Sequence, residues 1–345
     1  MARIGLLTGG GDCPGLNAVI RAVVRRGLTG GGHSFLGFLA GWEGVVEDQA
    51  HELTLQSTVG ILPRGGTILG TSRTNPYADG RDGTASVQRT LQSRGVDVLI
   101  PIGGEDTLGV AQRLHSDGVA IVGVPKTIDN DLGGTDVTVG FQTAVQIVTD
   151  AIDRLHTTAE SHNRVMVVEV MGRHAGWIAT HAGIAGGADA ILVPERPFDI
   201  EQVVAHLRRR HARGRSFSIV VVAEGATPLA GTLQTLAGTE TDAFGHARLG
   251  GIGVTLEREI EQRTGFETRV TILGHVQRGG TPVAFDRVLA TRFGVAAMDA
   301  AAGGRFGTMM GLRGTEIVEV ALAEALRELK LLDPSLYETA ELFFG

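Results

Sequence analysis

Apolar and polar positions follow two rhythms along the chain. Runs such as RIGLLT, VMVVEV and SIVVVA carry no polar side, as expected of strands covered on both faces of a parallel sheet. Between them apolar residues recur at helical spacing. Leu16, Val19, Ile20, Val23 and Val24 share one face of PGLNAVIRAVVRRGL, with proline beside the first turn. Phe141, Val145, Val148, Ile152 and Leu155 do the same in FQTAVQIVTDAIDRLHTTAES. GIGVTLEREIEQRTG and AFDRVLATRFGVAAMDAAAGG read as further helices, and VDVLIPIGGEDT, VAIVGVPKT, DAILVPE and TRVTILGHVQRGG as strands running into polar loops. This alternation predicts doubly wound α/β architecture. At 345 residues the chain is too long for one ordinary core, so two such domains with mainly parallel sheets are expected. The polar, weakly periodic stretch 227–251 reads as an inserted loop or hairpin, and the tail after Pro334 as poorly anchored.

Composition narrows the classes. A hydrophobic share of 43% with 20% charged residues is that of a soluble globular protein. No apolar run approaches the roughly 18 residues a membrane span needs, and MARIGLLTGGG lacks the features of a secretory leader. The single cysteine, Cys13, excludes an intrachain disulfide and fits a reducing, cytoplasmic setting. A net charge of −7 argues against a nucleic-acid partner. Among 31 basic residues only Lys126 and Lys330 are lysines. Lysine is a compact point charge where arginine is a planar fork. Its retention in VPKTIDNDL, beside Thr127, Asp129 and Asp131, points to a place that wants a point charge.

In open α/β sheets ligands collect beyond the carboxyl ends of strands. Six expected strand ends are polar or glycine-rich: TGGGDCPG, GGEDT, PKTIDND, MGRHAG, AEG and GHVQRGG. TGGGDCPG is a glycine turn opening a helix, where bare amides and the helix dipole bind phosphate oxygens. It is neither a Walker loop nor a dinucleotide fingerprint, and a turn needed only for packing reads equally well. GGEDT sets two carboxylates after a glycine turn, suited to Mg²⁺ or to capping a helix. Asp129 and Asp131, two apart on an extended segment, share a side, so their repulsion needs a nearby cation or a catalytic use. Arg173, Arg278 and His275, with Arg164 and Arg269, would suit phosphate binding or stabilisation of a transferring phosphoryl group.

GGDCPGLNAVIR, PKTIDND, ESHNRVMVVEVMGRHAG, ILVPE and LGHVQRGGTPVAFDR stand together in the order of the 6-phosphofructokinases, and the chain resembles that family from residue 3 to about 325. The resemblance implies two phosphofructokinase-like domains. The larger, donor-binding one would hold residues 1–140 and about 277–303; the smaller, fructose 6-phosphate one, 141–276 and about 304–325; 326–345 would be a tail. It implies Mg²⁺-dependent phosphoryl transfer to the 1-hydroxyl of fructose 6-phosphate. Asp129 would take the hydroxyl proton, with Thr127 and Asp131 beside it at the reacting centre. Arg173 would stabilise the moving phosphoryl, and Met171, Gly172 and Glu224 would contact the sugar. His275 and Arg278 would hold the 6-phosphate with Arg164 and Arg269, the latter two reaching in from a neighbouring subunit, which implies a homodimer or homotetramer with shared sites. Gly10 and Gly104 would approach the donor's phosphates, and Glu105 the metal.

Departures from the ATP-using pattern bear on the donor. Asp106 and Lys126 stand where those members carry glycine, and Thr74 follows Arg73 where they tend to have an aromatic residue. A carboxylate at 106 would repel a longer polyphosphate at short range, by roughly several kcal/mol. Lys126 would supply charge to a compact donor. The pair resembles the branch that uses inorganic diphosphate. His156 and Asp189 stand where the regulated enzymes have an arginine and a glutamate, although Arg21 and Arg25 remain, so weak or no nucleotide allostery is expected. ATP-dependent phosphofructokinase is the nearest rival; an NAD kinase-like enzyme and a silent sugar-phosphate sensor are more remote, given PKTIDND and the presence of Asp129, Glu105 and Arg173.

Overall fold

The computed structural model describes residues 1–80, 82–233 and 251–344. Eleven strands occur among them: β1 (Arg3–Thr8), β2 (Ser34–Phe38), β3 (Ala50–Leu53), β4 (Val98–Gly103), β5 (Val122–Pro125), β6 (Val165–Val170), β7 (Ala190–Leu192), β8 (Ser218–Ala223), β9 (Thr268–Ile272), β10 (Thr308–Arg313) and β11 (Glu316–Ala321). The chain divides into two compact units. One comprises Met1–Thr143 and Arg278–Leu329, the other 144–233, 251–277 and 330–344 among the described residues.

In the first unit seven strands run in the order β11-β10-β5-β4-β1-β2-β3. The inner five are mutually parallel, and β3 and β11 close the two edges antiparallel. β1 and β4 are buried on both faces except at Arg3, as their unbroken apolar sequences require. One face packs Leu7 and Leu99 against Val87 and Leu91 of the helix Gly83–Ser93 and Leu108 and Leu114 of the helix Glu105–Ser116. The helices Leu16–Gly31 and Ala284–Ala302 lie against each other, and Gly294 permits the approach, because a Cβ there would sit 2.6 Å from that of Ala22. Chain order reverses about β1: β2 lies on one side of it and β4 on the other. That switch point is where an open α/β sheet leaves a crevice for ligands.

The expected boundary put about 304–325 with the smaller domain. Instead β10 pairs with β5 and, through a hairpin, with β11, so this stretch completes the large sheet. The cause is register: Thr308 and Met309 lie beside Val122 and Gly123, and a single chain reversal at Gly314 brings back Glu316–Ala321.

The second unit is a four-stranded parallel sheet ordered β7-β8-β6-β9. Its core joins Val167, Val220 and Val222 to Leu207 of the helix Ile200–Ala212 and Leu256 and Ile260 of the helix Ile252–Thr264. The C-terminal tail, expected to be loose, forms a helix over Pro334–Glu341, started by Asp333 and a proline in its first turn. Tyr337 and Ala340 are buried, and the Tyr337 hydroxyl donates to the Ile191 carbonyl at 2.7 Å. Of the stretch read as an insertion, 234–250 lies outside the described residues. No described helix is long and apolar enough to cross a membrane.

Candidate active site

At the switch point the carboxyl ends of three neighbouring strands meet. Thr8 of β1 is in register with Ile102 of β4, and Gly103 of β4 with Pro125 of β5. The segments following them, Gly9–Asp12, Gly104–Asp106 and Lys126–Asp131, are therefore adjacent. Gly10 takes a left-handed conformation at φ 76°, natural to glycine. Its amide donates to the Ser72 carbonyl, and its carbonyl accepts from the Thr71 hydroxyl. The turn is thus tied to Thr71–Ser72 on one side and, through the Gly9 amide and Ile102 carbonyl, to β4 on the other.

Lys126 does not project into open space. It is 2% exposed, and its ammonium donates to the carbonyls of Gly9 at 3.0 Å and Gly11 at 2.5 Å. Burial pushes its pKa below the ordinary lysine value of 10.5; the Arg278 guanidinium acts the same way, against Cys13, Asp12 and Asp129. Cys13, also buried, is pushed up to about 12 by desolvation despite the pull of Lys126. It stays a thiol, so it is no nucleophile at neutral pH. Arg278 belongs to this corner too. Its guanidinium donates to the Asp12 carbonyl at 3.4 Å and packs where a side chain at Gly11 would stand.

Beyond Lys126 the chain turns at Ile128–Asp129 rather than running on extended, and burial alternates. Ile128, Asn130 and Leu132 are buried, while Thr127, Asp129 and Asp131 are half-buried. The extended segment expected here is thus replaced by a turn, so a strand's two-residue period does not account for how Asp129 and Asp131 are placed. Asn130, at φ 55°, braces the loop: its Oδ1 accepts from the Thr138 amide at 3.0 Å and its Nδ2 donates to the Asp136 carbonyl. The Asp129 amide donates to the Thr127 hydroxyl at 3.1 Å.

Glu105 and Asp106 form the first turn of the helix Glu105–Ser116, with Gly104 as its cap residue. The cap is therefore backbone only, and the two carboxylates stand where the dipole favours negative charge or, with a cation, a metal–phosphate complex. They also line a cavity of about 420 Å³ with Asn75, Tyr77, Gln112 and Arg113. The Arg113 guanidinium stacks over the Tyr77 ring at 3.7 Å from its centre. The sequence reading passed over Tyr77; an aromatic three residues after Thr74 was the available signal. Thr74 itself is taken up with Ser72 and Glu43. Asp286, likewise unanticipated, is fully buried and accepts from the Gly140 and Thr143 amides and the Thr143 hydroxyl, capping the helix Phe141–His162.

In the four-stranded unit, Met171–Gly176 follows β6 and Glu224–Gly225 follows β8, its parallel neighbour. The Gly225 amide donates to the Gly172 carbonyl at 3.1 Å, and Gln277 accepts from the Met171 amide. His275 lies exposed in the 3₁₀ turn Gly274–Arg278 after β9. Arg164 and Arg269 are elsewhere. Arg269 pairs with Met166 at the beginning of β6, and Arg164 precedes that strand. They stand at the amino end of the sheet, four or more residues from the Arg173 loop, ~13 Å or more at about 3.3 Å per residue. Both bind Glu267, at 2.7 and 2.6 Å. At the positions expected of a degraded effector site, Asp189 is held by the Ile219 amide and Arg210, and His156 meets the Gly186 carbonyl.

A family model described as Phosphofructokinase matches residues 3–301. A pyrophosphate–fructose 6-phosphate 1-phosphotransferase from Amycolatopsis methanolica is 62% identical over 343 residues, covering 99% of this chain and 100% of that protein. ATP-dependent 6-phosphofructokinase 3 of Streptomyces coelicolor is 55% identical over 98% of this chain and 99% of its own length. Among solved structures, phosphofructokinase from Pichia pastoris in the T-state superposes with a TM-score of 0.83 at 32% identity, over 99% of this chain and 37% of that one.

Proposed function

The chain belongs to the phosphofructokinase family, and we propose that it transfers a phosphoryl group from inorganic diphosphate to the 1-hydroxyl of fructose 6-phosphate, giving fructose 1,6-bisphosphate and phosphate. The observation that carries the choice of donor is the pairing of a buried Lys126 under the glycine turn with Asp106 at the adjacent helix mouth. The lysine adds positive charge beneath the turn, and the carboxylate would obstruct a third phosphate. The name borne by the Amycolatopsis relative supports the same reading.

Asp129 acts as the base. It accepts the proton of the 1-hydroxyl as that oxygen attacks the terminal phosphorus, and the bond to the bridging oxygen breaks to release phosphate. Thr127 and Asp131, half-buried like Asp129, orient the sugar. The turn at Gly10, whose lack of a side chain lets phosphate come close, receives the donor together with Gly104. Glu105, with Asp106 beside it, would hold Mg²⁺. A cation there would also be held by the diphosphate's oxygens and its own waters. Bound there, Mg²⁺ would neutralise charge on the phosphates. Arg173 serves the moving phosphoryl, and Met171, Gly172, Glu224, His275 and Arg278 serve the sugar phosphate. The Arg278 contact with Asp12 gives that residue a second use, steadying the donor turn.

We assign the working form to a homodimer or homotetramer in the cytoplasm. Arg164 and Arg269, on the amino side of their sheet, are presented to another copy of the chain rather than to the carboxyl-end loops beside Arg173. A coupled assay with fructose 6-phosphate tests the central claim. Diphosphate is expected to give the higher kcat/KM, and a preference for ATP would overturn it.

A further inference from the structure

The loop that carries Arg173 is fastened at three points within its own unit. The Met171 amide donates to Gln277 at 3.2 Å, the Gly172 carbonyl accepts from Gly225 at 3.1 Å, and the Gly176 amide donates to both carboxylate oxygens of Glu195, at 3.0 and 3.1 Å. The third point has an unusual anchor. Glu195 Oε1 also accepts from the Leu332 amide at 2.9 Å, so one carboxylate joins the end of the arginine loop to the C-terminal segment. That segment is tied down beside it. The Trp177 indole, one residue past the loop, donates to the Lys330 carbonyl at 3.0 Å, and the Lys330 ammonium lies 5.4 Å from the Trp177 ring centre. Tyr337 donates to Ile191 at the other side of the Val193–Arg196 turn, and Arg196 binds Glu341 at 2.7 Å.

We infer that Glu195 is a positioning residue for Arg173, and that the C-terminal segment 330–341 is the buttress that holds Glu195 in place. Both donors reach Oε1, and the Gly176 amide is shared between Oε1 and Oε2, so the carboxylate's negative charge strengthens both bonds. Glutamine with its oxygen at the Oε1 position still accepts from both donors but loses the charge and sets its N–H₂ against the Gly176 N–H. Gly176 lets the loop end approach closely, since a Cβ there would collide with Val193 and come within 3.1 Å of Glu195. Three residues separate Gly172 from Gly176, so release of the Gly176 end frees the backbone on the far side of Arg173. A misplacement of an ångström at a charge-stabilising group costs about 100-fold in rate.

The inference rests on the proposed phosphoryl transfer, and two readouts on the full-length chain keep them apart. Glu195→Gln and Tyr337→Ala are compared with wild type by amide exchange over 171–177 and by kcat and KM with diphosphate and fructose 6-phosphate. Exchange at Gly176 is expected to accelerate at least tenfold, an order set by loss of a charge-assisted bond, in both variants. The fall in kcat is expected to be about 10- to 100-fold, with the KM for diphosphate unchanged. In an Arg173→Ala background Glu195→Gln should then cost less than about twofold, since a positioning residue has nothing left to position. Acceleration at Gly176 with full kcat, or a rate loss that persists without Arg173, would overturn the positioning role. A wild-type chain that turns over neither diphosphate nor ATP would sink the functional reading instead. Exchange would then decide the buttress alone, and an unchanged Gly176 amide in Tyr337→Ala would overturn it.

Discussion

The ammonium of Lys126 donates to the carbonyl of Gly11 at 2.5 Å and, on its other side, to that of Gly9 at 3.0 Å. A charge placed in this way acts on the turn before it acts on any ligand. It satisfies two carbonyls that β1 no longer pairs and draws them inward, while the Gly10 amide between them is held by the Ser72 carbonyl. Its field is still felt at the turn, because little water lies between to screen it. A compact ammonium can serve both carbonyls from one point, in keeping with a lysine in a chain that otherwise chooses arginine.

Lys126→Met removes the charge and orphans both carbonyls, and is expected to cost about 1–3 kcal/mol of stability. The pH dependence carries a sign. Burial depresses the folded pKa of Lys126 below 10.5. Below that folded value the lysine is protonated in both states, and the cost of burying the charge stands in full. As pH rises toward 10.5 the folded chain releases its proton while the unfolded chain keeps it, so stability is gained. Urea unfolding across the alkaline range is expected to show wild type gaining on Lys126→Met; parallel curves would mean that Lys126 titrates as an exposed lysine does.

Asp129→Ala is expected to lower kcat by roughly 10²–10⁴ with little change in the affinity for fructose 6-phosphate, because a general base acts in the transition state. Binding measured by calorimetry beside turnover separates the two. The alternation that buries Ile128, Asn130 and Leu132 should survive the change, since the Asp129 side chain is not part of that packing. Near-full turnover would take Asp129 out of the reaction.

Much of this architecture was legible in the sequence because strand runs buried on both faces and helices striped on one face have different periods. Leu16–Gly31, Phe141–His162, Ile252–Thr264 and Ala284–Ala302 all form where the spacing placed helices. The hairpin of β10 and β11 was not legible. Its partner in the large sheet is β5, some 180 residues earlier, and nothing local records such a pairing. At the site, residue types announced phosphate chemistry, yet the target of Lys126 was hidden, because a lysine's reach over four carbons leaves its direction open. Arg164 and Arg269 resembled Arg173 as arginines beside apolar strands. Only the sheet register shows that they flank the opposite end.

Those two arginines supply a test of assembly. Arg269→Ala is expected to raise the KM for fructose 6-phosphate far more than the KM for diphosphate. Mixed with Asp129→Ala subunits, it should recover part of the activity, since a hybrid would contain one site with both groups intact. Their shared ion pair with Glu267 is largely exposed, so breaking it should cost almost nothing in stability. Verified hybrids without any recovery would mean that each site is built from one chain.

Donor choice separates the roles of Asp106 and Lys126. Asp106 sits in the first helical turn, facing a cavity of about 420 Å³ that Tyr77 and Arg113 also line. Asp106→Gly removes a negative charge from the helix mouth and opens the way for a longer polyphosphate. ATP turnover is expected to rise while diphosphate turnover falls. The gain should stay small as long as Arg113 is stacked on Tyr77, because that pair occupies the wall an aromatic base would need. Lys126→Gly acts differently. It loosens the turn, and is expected to cost diphosphate turnover about 2–4 kcal/mol, the order seen when one stabilising donor is lost from a transition state. Together the two changes should shift kcat/KM toward ATP by more than either alone, since charge and space at the two positions restrict the same phosphate path. Steady-state kinetics with both donors on the four proteins measures this, and an unchanged ratio of ATP to diphosphate use in the double variant would strip both residues of their part in donor selection.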